Sequence, residues 1–385
     1  MIRISDKSLC SGCTACVSAC PAQCIVMRRD REGFDYPVAN SDLCVKCGLC
    51  ERICPVLNSG DRREPLAAYA ARCTSQMEDA SSGGIFPLLA QEFISDGGIV
   101  CGAALDPDCT VVHRAVEDEA GLSALSGSKY AQSELYSMFE DVRAELRDGR
   151  RVLFSGTPCQ VAGLNAYLGQ MQDGLVTVDF ACHGVPSPGL WEKYKAAIER
   201  CHCSSLKSVD FRDSSEGWRH YNIRYDFRDK SVTVPRAKDP YLALFLQDMT
   251  LRPSCYDCRL RGGCSGSDIT LSDLWSVAET APEMNDDRGV SGVLVNTEKG
   301  RELYEKVTGR LVERQIQAGQ VRKDNGGFSG TAAVPERREE FFKGVHSAAD
   351  LPEYMSSFVV SKPLHVRIYR TMRRQLSALK RRMKK

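Results

Sequence analysis

A chain of 385 residues with 43% hydrophobic and 26% charged side chains has an ordinary globular composition and room for two or three domains. No apolar run nears the eighteen or so residues of a membrane span, and Met1-Ile2-Arg3-Ile4 lacks the apolar core of a secretory leader, so a cytoplasmic protein is expected. The formal net charge of +1 conceals a basic tail: residues 362–385 carry ten Lys and Arg and no acid, which leaves −9 for the rest and argues against nucleic acid as a partner.

Cysteine is the outlier, with 19 residues gathered in clusters. In a reducing compartment they read as metal ligands or free thiols, in preference to the disulfides of a secreted scaffold. Cys10, Cys13, Cys16 and Cys20-Pro21 form a C-x2-C-x2-C-x3-C-P run, repeated thirty-four residues later by Cys44, Cys47, Cys50 and Cys54-Pro55. Such a run gives three thiolates to one 4Fe-4S cluster and its fourth to the neighbour. The two copies therefore complete each other: Cys10, Cys13, Cys16 and Cys54 around one cluster, Cys44, Cys47, Cys50 and Cys20 around the other. Structural zinc fits less well, because a third cysteine two residues after a close pair has no place in a tetrahedral knuckle. Residues 1–57 resemble bacterial-type two-cluster ferredoxins, and a ferredoxin-like α+β domain is expected over 1–58. Cys24, just outside the motif, reads as a packed thiol.

Asn58 to Pro65 is polar and turn-rich and marks a domain boundary. Beyond it, strands and helices alternate. LAAYAARC reads as a strand, Gly84 to Ser95 as a helix and GGIVCGAAL as a strand; a second helix is predicted over 132–147. RVLFSG then predicts a strand, TPCQVAGLNAYL a helix and LVTVDFACHG a strand, an order that favours an α/β domain with a mainly parallel sheet. SVDF, YNIRYDF, SVTV and DITLSDL lie closer together and predict antiparallel additions, hence a mixed sheet.

Cys159 and Cys182 follow predicted strands, where α/β proteins gather their sites, and Cys255 and Cys258 add a close pair. Thr157 as N-cap and Pro158 at the first helical position place Cys159 in a first turn whose dipole favours a thiolate. Three readings of this set stay open from spacing alone: a third 4Fe-4S cluster, a zinc site, or unligated thiols with Cys159 as a redox nucleophile. Cys264 is a substitute ligand. Cys201 and Cys203 fall in a polar loop, and Cys73, Cys101 and Cys109 read as core.

SSGGIF at 81–86, GSKYAQS at 127–133, GTPCQ, CHGVPSP, LRPSCYDC at 251–258 and SDITLSDLW at 267–275 resemble, in combination, the coenzyme F420 hydrogenase/dehydrogenase beta subunit family over residues 66–330. The resemblance implies an oxidoreductase that binds FAD and a further 4Fe-4S cluster and exchanges electrons with a deazaflavin, another organic substrate or a redox partner protein. Family members of this architecture resemble proteins found beside polysaccharide-assembly enzymes, which suggests a redox step there. Ser81, Ser82, Gly83 and Gly84 open a helix whose N–H groups suit a diphosphate, and Ser128 and Lys129 are candidates for a phosphate or the flavin edge. No general acid or base stands out; His183, beside Cys182, suits a hydrogen bond to a cluster sulfur. Arg219, Arg236 and Lys238 are candidates for an anionic substrate, with solvated charge as the plainer reading.

Residues 331–361 read as a linker and packing segment. In 362–385, Leu364, Ile368, Met372, Leu376, Leu379 and Met383 form one apolar stripe on a basic helix. Peripheral docking on the inner face of a membrane or on an acidic partner is expected of such a helix, with a frayed end of no role as the plainer reading.

Overall fold

The computed structural model describes residues 1–75, 80–330 and 332–360. The basic helix expected over 362–385 lies outside the described residues. No described helix is long and apolar enough to cross a membrane.

The head is built on its cysteine loops. One antiparallel hairpin, β1 (Ile25–Arg29) against β2 (Asp35–Ala39), separates two one-turn helices, Ala15–Ser18 and Leu49–Arg52. Thr14 and Gly48, the residues before those helices, both sit at positive φ. That conformation suits glycine and strains a β-branched residue, so the Thr14 backbone is bent for the sake of the loop.

The body holds an eight-stranded sheet. Its strands are β3 (Ala67–Cys73), β4 (Ile99–Leu105), β5 (Val111–Val116), β6 (Val152–Ser155), β7 (Leu175–Phe180), β11 (Ile269–Asp273), β12 (Ser291–Val295) and β13 (Leu311–Gln315), in the spatial order β13-β3-β12-β11-β7-β6-β4-β5. The pairs β4·β6, β6·β7 and β7·β11 are parallel; the pairs toward both edges are antiparallel. Strands β3, β4, β6, β7 and β11 thus run one way and β5, β12 and β13 the other, the mixed and mainly parallel sheet expected. β6 and β7 are buried almost throughout because helices cover both faces. Ile85–Ser95 and Glu298–Val307 pack on one face through Leu88, Leu89, Phe93, Leu303 and Tyr304. Met138–Arg147 and Pro158–Leu168 cover the other through Phe139, Val142, Val161 and Leu164.

The helix predicted over 132–147 begins only at Met138. Glu134 is held extended by a bridge to Val112, and Gln132 reaches to the Ser11 carbonyl at 3.0 Å; these contacts outweigh the helical pattern of the preceding residues.

Between β7 and β11 the chain inserts the helix Pro188–His202, a three-stranded sheet of β8 (Leu206–Asp213), β9 (Asn222–Phe227) and β10 (Ser231–Pro235), and the helix Pro240–Leu246. Its aromatic core, with Trp191, Phe211, Tyr225 and Tyr241, takes in Cys10, Phe34 and Tyr36 of the head. Cys13 and Ala15 pack in the core under the main sheet. The head is therefore wedged between two cores.

The segment expected as part linker is packed. Helices Arg338–Gly344 and Leu351–Ser356 bury Phe341, Phe342, Leu351 and Met355 in the inserted core. Arg338 clamps the head by donating to both oxygens of Glu32, at 2.9 and 2.6 Å, and to the Leu251 carbonyl.

Candidate functional site: three cysteine cages and a cavity

The first cage takes its cysteines from the loop 10–16 and from Cys54. Cys10, Cys54 and Cys50 press on Cys16 and, with burial foremost, push its thiol up to about 12. Burial likewise raises Cys13 far above the ordinary thiol value. Crowded thiols in an apolar wall resist ionisation unless positive charge is supplied among them, which is what an iron-sulfur core does. The hydroxyls of Ser11 and Thr14, in the same loop, are buried without a hydrogen-bond partner. Such orphan donors fit a group with acceptor sulfurs.

The second cage surrounds a cavity of about 20 Å³ lined by Cys20, Cys24, Cys44, Cys47 and Cys50. The Ile2 N–H points at Cys50 Sγ at 3.3 Å and the Cys24 N–H at Cys20 Sγ at 3.4 Å. Cys24 is packed, as expected, with its sulfur 3.4 Å from that of Cys20.

The third set does come together. Cys159, Cys182, Cys255 and Cys258 line one cavity of about 30 Å³, although up to 99 positions separate them in sequence. Thr157 and Gln160 form the capping box that starts the helix carrying Cys159, and Thr157 Oγ1 lies 3.1 Å from Cys159 Sγ. Burial, opposed by that hydroxyl and reinforced by Cys258 and Cys255, pushes the Cys159 thiol up to about 12. Val185 N–H approaches Cys255 Sγ at 3.4 Å. Cys264 is not in this lining; it faces a neighbouring cavity with Cys54 and Gly266. Among the described residues no three His, Cys, Asp or Glu side chains converge on a single metal ion. The cysteines of the second and third sets instead line small cavities.

The first and third cages touch. Cys54, Cys159 and Cys258 pack on the same plug of Val56, Ala162 and Leu260, and a side chain added at Gly163, on the Cys159 helix, would meet Cys13 Cβ and Sγ at 3.0 Å.

The third cage shares Cys182, Gly184 and Val185 with the lining of a cavity of about 460 Å³. This cavity lies where β4, β6, β7 and β11 end, the position α/β sheets use for ligands. Ser81, Gly84, Ser128 and Lys129 line it. Ser81 Oγ accepts from the Ser128 N–H at 2.7 Å, and Lys129 Nζ donates to the carbonyls of Ala124 and Ser126. Ser82 and Gly83 do not line it. Ser82 Oγ donates to the Val290 carbonyl, and Gly83 is pressed against β3, where a Cβ would meet the Ala71 carbonyl oxygen at 2.5 Å. Their role is to dock the helix start on the sheet.

His183 lines the cavity, but its Nε2 pairs with Asp248 at 2.9 Å instead of with a sulfur. Arg219 is engaged by Asp287 and Asn285, Arg236 lies over Tyr221, and neither lines the cavity; Lys238 does not line it either. Three buried wall residues were missed from sequence. Burial drives the His113 imidazole down to about 4, so it is neutral there, with Nε2 on the Ser155 carbonyl. Burial drives the Asp179 carboxyl up to about 6 against three hydroxyl donors, Ser265, Thr270 and Ser267. Arg212 pairs with Asp273 at 2.6 Å. The available signal was placement: Asp179 lies next to the end of a buried strand, whereas Arg212 sits in a run of three buried residues at the end of β8 with no alternation to mark it.

Comparison with known proteins assigns a family to each of two segments of the chain. The family that describes the C-terminal part of the coenzyme F420 hydrogenase/dehydrogenase beta subunit matches residues 149–318, and the 4Fe-4S dicluster domain family matches residues 9–58. An uncharacterized protein of Methanocaldococcus jannaschii is 24% identical over 344 residues, covering 79% of this chain and 88% of that one. An uncharacterized ferredoxin of the same organism is 42% identical over 52 residues, covering 13% of this chain and 77% of the ferredoxin. A chain of the F420-reducing NiFe hydrogenase complex of Methanosarcina barkeri superposes with a TM-score of 0.47 at 18% identity, covering 68% of this chain and 86% of that one. Residues 149–318 thus match the C-terminal domain of the coenzyme F420 hydrogenase/dehydrogenase beta subunit and residues 9–58 a 4Fe-4S dicluster ferredoxin domain, and the chain is an iron-sulfur electron-transfer oxidoreductase related to that beta subunit.

Proposed function

We propose that the chain is a flavin-dependent oxidoreductase in which three 4Fe-4S clusters connect an FAD in the large cavity to a redox partner protein. The reading rests above all on Cys182, which lines both the third cage and that cavity. Cys10, Cys13, Cys16 and Cys54 hold one cluster, Cys44, Cys47, Cys50 and Cys20 the second, and Cys159, Cys182, Cys255 and Cys258 the third. Ser81, Gly84, Ser128 and Lys129 take the diphosphate end of FAD. Bound together, these groups allow two-electron chemistry on an organic substrate to be exchanged for single-electron transfer.

The protein's own part is to hold, space and dry these centres. Val56, Ala162 and Leu260 exclude water between the first and third cages. At the far end Cys47 is exposed, and Leu43 and Val45, which flank Cys44, are 58% and 66% exposed. That apolar rim suits a transient contact with a partner protein. It also supports a second reading, an electron-transfer subunit that relays charge without a substrate of its own.

Anaerobic purification followed by iron, sulfide and flavin analysis tests the proposal. About twelve irons per chain and one FAD are expected; about eight irons would limit the protein to its head clusters, and no flavin after reconstitution would end the flavoprotein reading. Turnover of coenzyme F420, or of sugar intermediates of polysaccharide assembly, by the isolated protein separates enzyme from relay.

A further inference from the structure

One polar group in the cavity wall is left incomplete by its neighbours. Arg212 is 7% exposed. Its Nη1 donates to Asp273 Oδ2 at 2.6 Å, while Asp273 Oδ1 accepts from Trp218 Nε1 at 3.2 Å. The Nε and Nη2 of the same guanidinium are buried and have no hydrogen-bond partner. Unmade donors on a buried charged group are costly, and native structures keep them mainly where a ligand completes them.

The surroundings say what kind of ligand. The guanidinium lies over the ring of Tyr221 at 4.6 Å and beside Trp275 at 5.5 Å. Trp275 stacks on Trp218 with centroids 4.7 Å apart and planes 11° apart, and is 36% exposed at the cavity rim. The other acids of the wall are already engaged: Asp179 by Ser265, Ser267 and Thr270, and Asp324 by the Ser276 N–H at 2.6 Å. The corner lies where β8 of the inserted sheet meets the end of β11, a junction of the kind that commonly holds ligands. It combines an anion receptor with an aromatic platform.

We propose that this corner is the substrate subsite, and that the substrate carries a carboxylate or phosphate oxygen bound by Arg212 Nε and Nη2, joined to a ring that lies on Trp275. The proposal deepens the flavoprotein reading and rests on it for the redox role of the bound molecule, although the binding itself does not require flavin. The same anion chemistry has a second source, the diphosphate of FAD.

The full chain, purified with its cofactors, is titrated with benzoate and phenyl phosphate as probes and benzamide as the neutral control, following tryptophan emission and calorimetric heat. Both anions are expected to bind and benzamide not to; Arg212→Gln should weaken the anions at least tenfold with iron and flavin contents unchanged. Arg212→Lys should recover part of the affinity, and Trp275→Ala, at the exposed rim, should weaken both ring-bearing probes while the fold persists. Failure of the wild type to bind either anion overturns the proposal, as does wild-type affinity in Arg212→Gln. Flavin lost from Arg212→Gln with anion binding retained overturns it in favour of the FAD diphosphate. If Arg212→Gln does not fold, Trp275→Ala and Arg212→Lys decide, and unchanged affinity in both overturns it. Anion binding by a chain that takes up no flavin supports the subsite and sinks the flavoprotein reading separately.

Discussion

Arg252 Nη2 lies 3.8 Å from the sulfur of Cys10, and Arg252 Nε donates to the Cys10 carbonyl at 2.7 Å. The side chain is 1% exposed, and its other partners are Gln132 Oε1 and the Asp35 carbonyl. No carboxylate among the described residues takes its charge. Gly12 exists for this contact: it sits at φ +71°, and a Cβ there would meet Arg252 Nη1 at 2.7 Å. The Arg252 carbonyl also accepts from the Cys255 N–H at 2.8 Å, so one arginine joins the loop of the first cage to the loop of the third.

Reduction of a cluster adds negative charge, and a buried cation beside its ligand stabilises the reduced form. Arg252→Gln should therefore lower the midpoint potential of the first cluster, and Arg252→Lys should lower it less. A hydrogen bond to a charged group contributes about 1.5–3 kcal/mol, which for a one-electron couple is roughly 60–130 mV. Redox titration followed by electron paramagnetic resonance reads the shift, and an unchanged potential in a variant with full iron content would refute the role.

Cys255→Ala removes one wall of the third cage and leaves the two head cages intact. Iron should fall from about twelve to about eight per chain, with the head's spectrum preserved. Loss of zinc without loss of iron would show the third set to be a zinc site. Cys24→Ala, in contrast, should keep all the iron, because Cys24 lies outside the repeated motif and the second cage keeps Cys20, Cys44, Cys47 and Cys50 without it.

Arg338 ties the C-terminal helices to the head turn through Glu32, with side chains 9% and 21% exposed. Removing one partner of a largely buried pair leaves the other charge without compensation, at a cost of about 3–5 kcal/mol. Arg338→Ala should lower the thermal midpoint of the full chain accordingly, and Arg338→Ala with Glu32→Gln should restore part of it. A single variant within experimental error of the wild type would mean that water compensates Glu32.

These arginines explain what could and could not be read from the sequence. The cysteine runs announced themselves because cluster ligation is local: three of four ligands fall within seven residues. Cys159 and Cys182 were legible because both follow buried strands, and their meeting with Cys255 and Cys258 extends that logic. Arg252, Arg338 and Arg212 were not legible. A lone arginine reads as solvated, and the partners that bury these three lie 242, 306 and 61 positions away. Ser82 and Gly83 illustrate the reverse: a glycine-rich helix start looks like a phosphate cradle, yet half of it is used for packing on the sheet.

Asp179 yields a prediction with a definite sign. Its carboxyl, 3% exposed, is pushed up to about 6 by burial, above its ordinary value near 4. The folded state thus holds this proton more tightly than the unfolded state does. The stability this contributes is fully present below about pH 4 and is lost as pH rises through about 6. A rise from about 4 to about 6 corresponds to about 3 kcal/mol as a ceiling. Asp179→Asn removes the titration, and Ser265, Ser267 and Thr270 can rotate their hydroxyls to suit the amide. The variant should therefore gain stability over the wild type between pH 4 and pH 6, hold the gain at pH 7, and lose it in acid. Because the clusters are common to both proteins, the difference in thermal midpoint across pH isolates this group. A difference that does not vary with pH would show that the three hydroxyls cancel the effect of burial and leave Asp179 with the same pKa folded and unfolded.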